Sequence, residues 1–419
     1  MTENNVVAFK QEGAIDDPLT EILRSGAKRL IEQAVEAEFA AFLAQHADLK
    51  LPDGRQRVVR HGHDPVRAIQ TGVGPVEVEK PKARDRGAGD DERIRYASSI
   101  LPKWARRTKS LDVLLPALYL RGVSTGDFQD VLTALLGKSA PNLSPGVIAR
   151  LKGDWDDDYS RWQKRDLSAR HYVYIWADGV YLQARMEPQA ECMLVIIGAT
   201  PEGKKELLGL SAGMRESAQS WKELLVDLKA RGLVIAPEIA VGDGALGFWK
   251  ALDEAFPSTR HQRCWVHKTL NVLDKLPKAL HSAAHKDLRE IWLSESRAAA
   301  QTAMDVFAEK FAAKYPKAVD CLTKDRDALL TFFDFPAEHW THLRTSNPIE
   351  SAFATVRHRT VRTKGALSQD TARLMVFKLV IEASKSWRRL QGQKLLPKLI
   401  SGVKFRDGIE IAPDQKSAA

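Results

Sequence analysis

Residues 172–177 read YVYIWA, residues 192–200 CMLVIIGAT and residues 204–210 KKELLGL. Each run is short and rich in β-branched, aromatic or aliphatic residues, so each predicts a strand, the last two joined by a turn at Pro201-Glu202-Gly203. A helix follows, with Trp221, Leu224, Leu225 and Leu228 at helical spacing and Gly232 as its stop. Next come a predicted strand at EIAVGD (238–243), a helix at ALGFWKALDEAF (245–256) and a short strand near TRHQRCW (259–265). The order is three strands, helix, strand, helix, strand. It predicts three antiparallel strands followed by two parallel ones reached by crossover helices.

That element order is the ribonuclease H-like one, an α/β fold. Outward from it, residues 267–333 show no strand pattern. HKDLREIWL, AAQTAMDVFAEKFAAKY and AVDCLTKDRDALLTFF predict amphipathic helices, so 267–340 reads as an all-helical insertion. A last helix begins at SNPIES (346–351), and 341–405 returns to the core. On the N-terminal side, residues 1–15 predict a disordered tail. Residues 18–45 predict a helix with Leu19, Ile22, Leu23, Ala27, Leu30 and Ile31 on its apolar face. TGVGPVEVEK (71–80) marks a small, basic, extended module. Three helices are predicted over 110–165, the third capped at Ser144 with Pro145 at its first position. They fit a helix-turn-helix or any small helical domain. The division is therefore 1–15, a mainly α DNA-binding region at 16–168, a first core segment at 169–266, the insertion at 267–340, a second core segment at 341–405 and a loose tail at 406–419.

The chain has 419 residues, enough for two or three domains with sizeable cores. No apolar run approaches the roughly 20 residues of a membrane helix. The N-terminus lacks the pattern of a signal peptide. Three widely spaced cysteines exclude a disulfide scaffold and point to a reducing, cytoplasmic setting. The net charge of +9 is unevenly placed: residues 344–404 carry thirteen Lys/Arg against Glu350, Asp370 and Glu382, and residues 51–110 carry fourteen against eight acids. Two basic stretches in a near-neutral body point to a polyanion. A solvated helix face is the plainer alternative. The helix from Ser144 carries Arg150 and Lys152 early and Asp154, Asp156, Asp157 and Asp158 later, so only its first turns could approach DNA.

Three acids stand where chemistry could use them. Asp178 lies in the first strand, Asp243 ends the fourth and Glu350 opens the last helix. Each has a structural alternative: Asp178-Gly179 as a hairpin turn, Asp243 as an N-cap, and Glu350 as the third residue of a capping box started by Asn347. In a sheet of this order the first and fourth strands are adjacent, so the two aspartates converge and a carboxylate on a neighbouring helix completes a site. Three carboxylates that close raise one another's pKa unless a cation joins them. Two Mg²⁺ ions about 4 Å apart would do so and would support phosphoryl transfer.

The blocks WADGVYLQAR, VIIGATPEGKKELLGL, ESAQSW, LLVDLKARGL, VGDGALGFWKAL, QRCWVH and RTSNPIESAFATVRHRTVRTKG resemble, in order and spacing, the mutator-type transposases of bacterial insertion sequences. The resemblance runs from about residue 15 to 400. It implies a Mg²⁺-dependent DDE transposase (Mn²⁺ able to substitute) that binds terminal inverted repeats and target DNA as a homodimer or larger homo-oligomer, in the bacterial cytoplasm. It further implies a circular, copy-out and paste-in intermediate. By motif, the acids are Asp178, Asp243 and Glu350, and the family's Cys-x-x-His element falls on Cys264 and His267. A ribonuclease H-like nuclease without end specificity, and a domesticated DNA-binding regulator, are the alternatives.

Expected DNA contacts are Arg357, two turns beyond Glu350 on the same face, with Arg362 and Lys364 near the helix end; Arg359 points elsewhere. Arg150, Lys152 and His267 are further candidates. End recognition is expected within 51–165. Cys264 and His267 are not expected to form a zinc site, because only His261 is near in sequence as a third ligand. If a helix begins near Cys264 the pair share one face, which would look toward the cut site.

Overall fold

The structure, a computed structural model, describes residues 18–87, 93–108, 145–182, 191–213, 217–244, 246–350 and 368–411, together with positions 111, 118, 353, 354 and 356. The predicted tail at 1–15 and most of the helices predicted over 110–144 lie outside them, as do Arg357, Arg362 and Lys364. The chain divides into two compact units, Met1–Leu151 and Lys152–Ala419.

In the first unit, α1 spans Pro18–Gln45. Four short strands follow: β1 (Val58–His63), β2 (Arg67–Thr71), β3 (Gly74–Val78) and β4 (Pro81–Asp85). They make two antiparallel ladders, β2 with β3 and β1 with β4. The β2–β3 hairpin turns at Gly72-Val73, in the TGVG stretch. Val35 and Phe39 of α1 pack with Ile69, Val76, Val78 and Leu101 in a small core, with Ala27 and Ile31 against it. The packed face is therefore Ala27, Ile31, Val35 and Phe39. Leu19, Ile22, Leu23 and Leu30, expected on the buried face, are exposed instead. A four-residue step drifts around the helix, and the sheet meets it nearer the C-terminal end.

Helix α2 (Pro145–Gln163) runs across the unit boundary. Its later turns belong to the second unit, where Tyr159 donates its hydroxyl proton to the Leu210 carbonyl at 3.2 Å.

The second unit is built on a five-stranded sheet of order β7-β6-β5-β8-β9. The strands are β5 (Tyr174–Leu182), β6 (Glu191–Ala199), β7 (Lys205–Gly213), β8 (Ile239–Gly242) and β9 (Arg260–Arg263). Pairing is antiparallel through β5–β6–β7 and parallel through β5–β8–β9, as the element order requires. Gly203, at φ +73°, makes the β6–β7 turn that an L side chain would strain.

Strand alternation decides what each face holds. Ile175 and Ala177 of β5 and Ala240 of β8 enter the core made by α3 (Ala218–Ala230) and α4 (Leu246–Ala255), with Trp221, Leu224, Leu225, Phe248 and Leu252. Each fully buried large apolar side chain there contributes roughly 1.5–3 kcal/mol. Tyr174 and Trp176 point to the opposite face. There the Tyr174 hydroxyl bonds His339 Nδ1 at 2.6 Å, and Trp176 Nε1 donates to the His342 carbonyl at 2.9 Å.

The helices after β9 are α5 (Trp265–Leu273), α6 (His281–Leu293), α7 (Arg297–Phe311), α8 (Pro316–Thr323), α9 (Arg326–Leu330) and α10 (Trp340–Leu343). Helix α9 packs on β9 and α10 carries the His342 carbonyl, while α5, α6, α7 and α8 pack on one another. The predicted helix at AVDCLTKDRDALLTFF is broken into α8 and α9. Gln262 of β9 anchors α9 and the turn after it: its Nε2 donates to the Leu329 carbonyl at 3.1 Å and its Oε1 accepts from Phe332 N at 2.8 Å.

Helix α11 (Gln369–Ser384) lies on β7 and α2. Residues 405–410 form a two-stranded hairpin whose Asp407 carboxylate accepts from Arg297 N at 2.6 Å, so the loose tail predicted from 406 is ordered through these residues. Among the described residues, no helix is long and apolar enough to cross a membrane.

Candidate active site

Asp178 lies inside β5, on the face of Tyr174 and Trp176. It is paired across the ladder with Val195 of β6, so the hairpin-turn reading of Asp178-Gly179 does not hold. On its other side, β5 and β8 run parallel with Tyr174 opposite Ile239, Trp176 opposite Val241 and Ala177 opposite Gly242. The next position on each strand is an aspartate, Asp178 and Asp243. Residues paired in a sheet share a face, so both carboxylates belong to the face away from α3 and α4.

Local bonds hold each one. Gly179 N donates to Asp178 Oδ1 at 2.8 Å, Gly244 N donates to Asp243 Oδ1, and Trp249 Nε1 donates to the Asp243 carbonyl at 2.9 Å. A Cβ at Gly244 would meet the far end of the Arg263 side chain at 2.2 Å, so the guanidinium would have to move aside.

Glu350 reaches the same place by another route. Residues 347–350 are helical, and the Ser346 carbonyl accepts from Ile349 N and Glu350 N at 2.8 and 3.1 Å. Ser346, rather than Asn347, is thus the cap. That makes Glu350 the fourth helical residue and removes the capping-box reading. Ser346 Oγ donates to Glu350 Oε1 at 3.1 Å and lies 3.3 Å from Cys264 Sγ, which also accepts from Ser346 N at 3.3 Å. Cys264 is in turn tied to the sheet, its N donating to the Gly242 carbonyl at 2.9 Å. Asp243 is the next residue after that carbonyl.

Cys264 is the N-cap of α5, so the helical alternative holds and His267 shares its face. One ligand atom each from Cys264, His267 and Glu350 lie within 4.8 Å of one another. Glu350 as a third partner was invisible in the sequence. Its interval from His267 is long, and nothing in the spacing links a loop-borne serine to a strand-end thiol. His261, the third ligand considered from sequence, instead bonds Asp253 at 2.8 Å.

Electrostatics bind the cluster together. Burial pushes the Asp178 carboxyl up to about 6; the charge of His267 opposes this, and Asp243 and Glu350 add to it. His267 is raised to about 9, first by its hydrogen bond to Cys264 and then, against burial, by the charges of Cys264, Asp243 and Asp178. An imidazolium therefore stands among three acids.

The sign of the pH dependence follows. Both groups hold their protons more tightly when folded, from reference values of 3.8 and 6.5. The contribution of Asp178 is full below about pH 4 and is lost as pH rises through 6. That of His267 is full below about 6.5 and is lost as pH rises through 9. In chelator, the thermal midpoint is expected to fall across both windows. Asp178→Asn should flatten the first and His267→Gln the second; an unchanged slope in Asp178→Asn would show that Asp178 titrates normally.

Of the expected DNA contacts, Lys152 is exposed on α2 and His267 is half-buried beside the acids. The side chain of Arg150 lies outside the described residues. The basic stretch from 344 is partly neutralised from within the unit: Lys378 pairs with Asp158, and Arg373 lies 3.2 Å from Asp370 and 4.0 Å from Asp156. The acidic half of α2 thus faces α11.

The family model described as "Transposase, Mutator family" matches residues 2–389. This chain belongs to the Mutator family of transposases. Relatives within that grouping include the transposase for insertion sequence element IST2 of Acidithiobacillus ferrooxidans, 50% identical over 295 residues, 70% of this chain and 100% of the relative. The transposase for IS6120 of Mycolicibacterium smegmatis is 48% identical over 295 residues, 70% of this chain and 91% of its own. The transposase for IS905 of Lactococcus lactis is more distant, 27% identical over 359 residues, 85% of this chain and 86% of its own. In this Mutator-family chain the hydrogen bonds of Ser346 and Cys264 join the end of β8, the helical residues of Glu350 and the start of α5.

Proposed function

We propose that this chain is the transposase of an insertion sequence, with a ribonuclease H-like catalytic domain. In this reading it binds terminal inverted repeats and catalyses phosphodiester hydrolysis followed by DNA strand transfer. The observation that carries it is the register of β5 and β8, which brings Asp178 and Asp243 side by side on the face toward which Ser346 and Cys264 hold Glu350. Family membership and the names of the relatives support the same reading.

The donors fit a pair of hard divalent cations. They are carboxylate oxygens, the set that Mg²⁺ and Mn²⁺ take. Burial chiefly pushes the Asp178 carboxyl up, with Asp243 and Glu350 adding to it, and a bound cation would oppose both effects. Asp178, Asp243 and Glu350 would hold the ions, which supply Lewis acidity at the phosphate and a more acidic attacking water.

The chain's own residues do the rest. The amides of Gly179 and Gly244 orient the aspartates, and Ser346 fixes the rotamer of Glu350. His267 carries a proton at neutral pH and can donate it in a hydrogen bond to a phosphate oxygen. Cys264 holds Ser346 as a buried acceptor, which supports reading the Cys-x-x-His pair as part of this site.

A strand-transfer assay tests the reading, using duplexes that end in the terminal repeats flanking the gene and duplexes with scrambled ends. End-dependent cleavage that yields a 3′-OH, and joining of that end to a second duplex, are expected with Mg²⁺. Equal cleavage of scrambled ends would favour the unspecific nuclease. End binding with no cleavage in Mg²⁺ or Mn²⁺ would favour the regulator.

A further inference from the structure

The sequence offered a Cys-x-x-His pair and, nearby, only His261 as a third ligand. The fold supplies a different third. One ligand atom each of Cys264, His267 and Glu350 come within 4.8 Å of one another, two from the start of α5 and one from the helical residues after Ser346. Ligands around a tetrahedral Zn²⁺ stand roughly 3.3–3.8 Å apart, given bonds of about 2.0–2.3 Å. A shift of about 1 Å therefore closes the set.

The surroundings of the three atoms are those of metal ligands. The Cys264 sulfur is buried and accepts from Ser346 N at 3.3 Å. Ser346 Oγ lies 3.3 Å from that sulfur and 3.1 Å from Glu350 Oε1, so one hydroxyl braces two of the three. Outer bonds of this kind hold ligands ready for a metal. An independent sign comes from His267. Its Nδ1 is buried and has no hydrogen-bond partner among the described residues. A buried ring nitrogen left unpaired is costly, and a metal brought to the ring would repay it.

Donor chemistry names the ion. The set is one sulfur, one nitrogen and one oxygen. Mg²⁺ takes oxygen ligands, whereas Zn²⁺ takes all three kinds. A thiolate and a carboxylate together balance its charge. Three protein ligands leave a fourth position to water, where a structural zinc would close all four. The ion can therefore come and go. Glu350, however, is also one of the acids assigned to the catalytic cations, and one carboxylate cannot serve both places in full.

We propose that Cys264, His267 and Glu350 form an exchangeable zinc site, and that filling it withdraws Glu350 from the catalytic cations and stops cleavage. Binding requires a thiolate and a neutral ring, so it releases to solvent the ring proton and any proton on the sulfur. The switch rests on the catalytic reading; the zinc site does not.

The full chain, stripped by chelator and free of DNA, is titrated with Co²⁺, which stands in for Zn²⁺ and reports a sulfur ligand by a thiolate-to-metal absorption band. One Co²⁺ per chain is expected, with the band present and discharged by Zn²⁺. Cys264→Ser should abolish the band and Cys321→Ser should keep it. Glu350→Gln and His267→Gln should each weaken zinc binding at least about tenfold. Should Cys264→Ser fail to fold, Glu350→Gln decides. No band, or one that survives Cys264→Ser, overturns the site. Zinc affinity unchanged in Glu350→Gln overturns the switch. The switch is read a second way, by Mn²⁺ binding in electron paramagnetic resonance and by end cleavage in Mg²⁺. Stoichiometric zinc should weaken Mn²⁺ binding and slow cleavage, each by about tenfold or more, and removing the zinc should restore both. Zinc bound here with both unchanged overturns the switch. A zinc-free chain that neither binds Mn²⁺ nor cleaves, with the cobalt band intact, overturns the catalytic reading and the switch with it, and leaves the zinc site standing.

Discussion

Asp243→Asn is expected to lower the rate of end cleavage by at least about a thousandfold, roughly 4 kcal/mol of transition-state stabilisation. The amide keeps the shape of the side chain, so it can still accept the Gly244 N–H that orients it. It cannot carry the charge that a divalent cation needs from this position. Asp178→Asn should do the same, with a second signature. Its carboxyl is buried and pushed up to about 6, so the neutral amide removes a burden from the fold, and thermal stability in chelator at neutral pH should hold or rise. Loss of cleavage together with held or raised stability and retained end binding separates a catalytic acid from a structural one. Glu350→Gln belongs to the same series, since Ser346 can still bond the amide oxygen. Single-turnover cleavage by Asp243→Asn within tenfold of wild type would remove Asp243 from the site.

Asp325→Ala is expected to destabilise the second unit by about 3–5 kcal/mol. Lys268, one residue beyond His267, is buried, and its Nζ donates to the Cys321 carbonyl at 2.7 Å and to the Asp325 carboxylate. Arg263 lies 3.4 Å from the same carboxylate. Removing it leaves an ammonium without its counter-charge in the interior and two cations facing each other. A fall in the thermal midpoint on the order of 10 °C should follow. The control is the paired change Lys268→Met with Asp325→Leu, which takes out both charges and should come within about 1 kcal/mol of wild type or exceed it. Denaturant unfolding of the full chain measures both. If Asp325→Ala costs under about 1 kcal/mol, Lys268 is satisfied by Cys321 alone, and the ion pair does not fasten α5 to the helices that follow.

Much of the catalytic half was legible because its signals are local. Strand-like runs, a proline-glycine turn and a 3.6-residue period each report on a few neighbouring residues, and together they gave the element order from which the sheet order follows. The register of β5 and β8 could be anticipated as adjacency but not as alignment. That Asp178 and Asp243 sit side by side on one face depends on Tyr174 pairing with Ile239, and parallel strands are joined by a crossover that leaves register to packing.

The readings that changed were those needing a distant partner. The apolar face of α1 was placed among its leucines, since hydrophobicity shows which residues prefer burial and not which face the sheet reaches. The capping box at Asn347 and Glu350 was sound as local chemistry. It gave way to Ser346, whose hydroxyl has Cys264 and Glu350 to bridge. The acidic turns of α2 were expected only to avoid DNA; Asp158 in fact pairs with Lys378, 220 residues later.

The sequence by itself determined the order of strands and helices, the all-helical stretch after α5 and the three acids worth testing. Those follow from periodicity, turn chemistry and motif order, which are written along the chain. Tertiary structure alone decided which face of the sheet carries the acids, that His267 stands among them, and that Ser346 and Cys264 join the helix of Glu350 to the strand edge. Each of these rests on contacts between residues tens to hundreds of positions apart. Such contacts are chosen by close packing and by the need to pair every buried donor, neither of which leaves a local pattern.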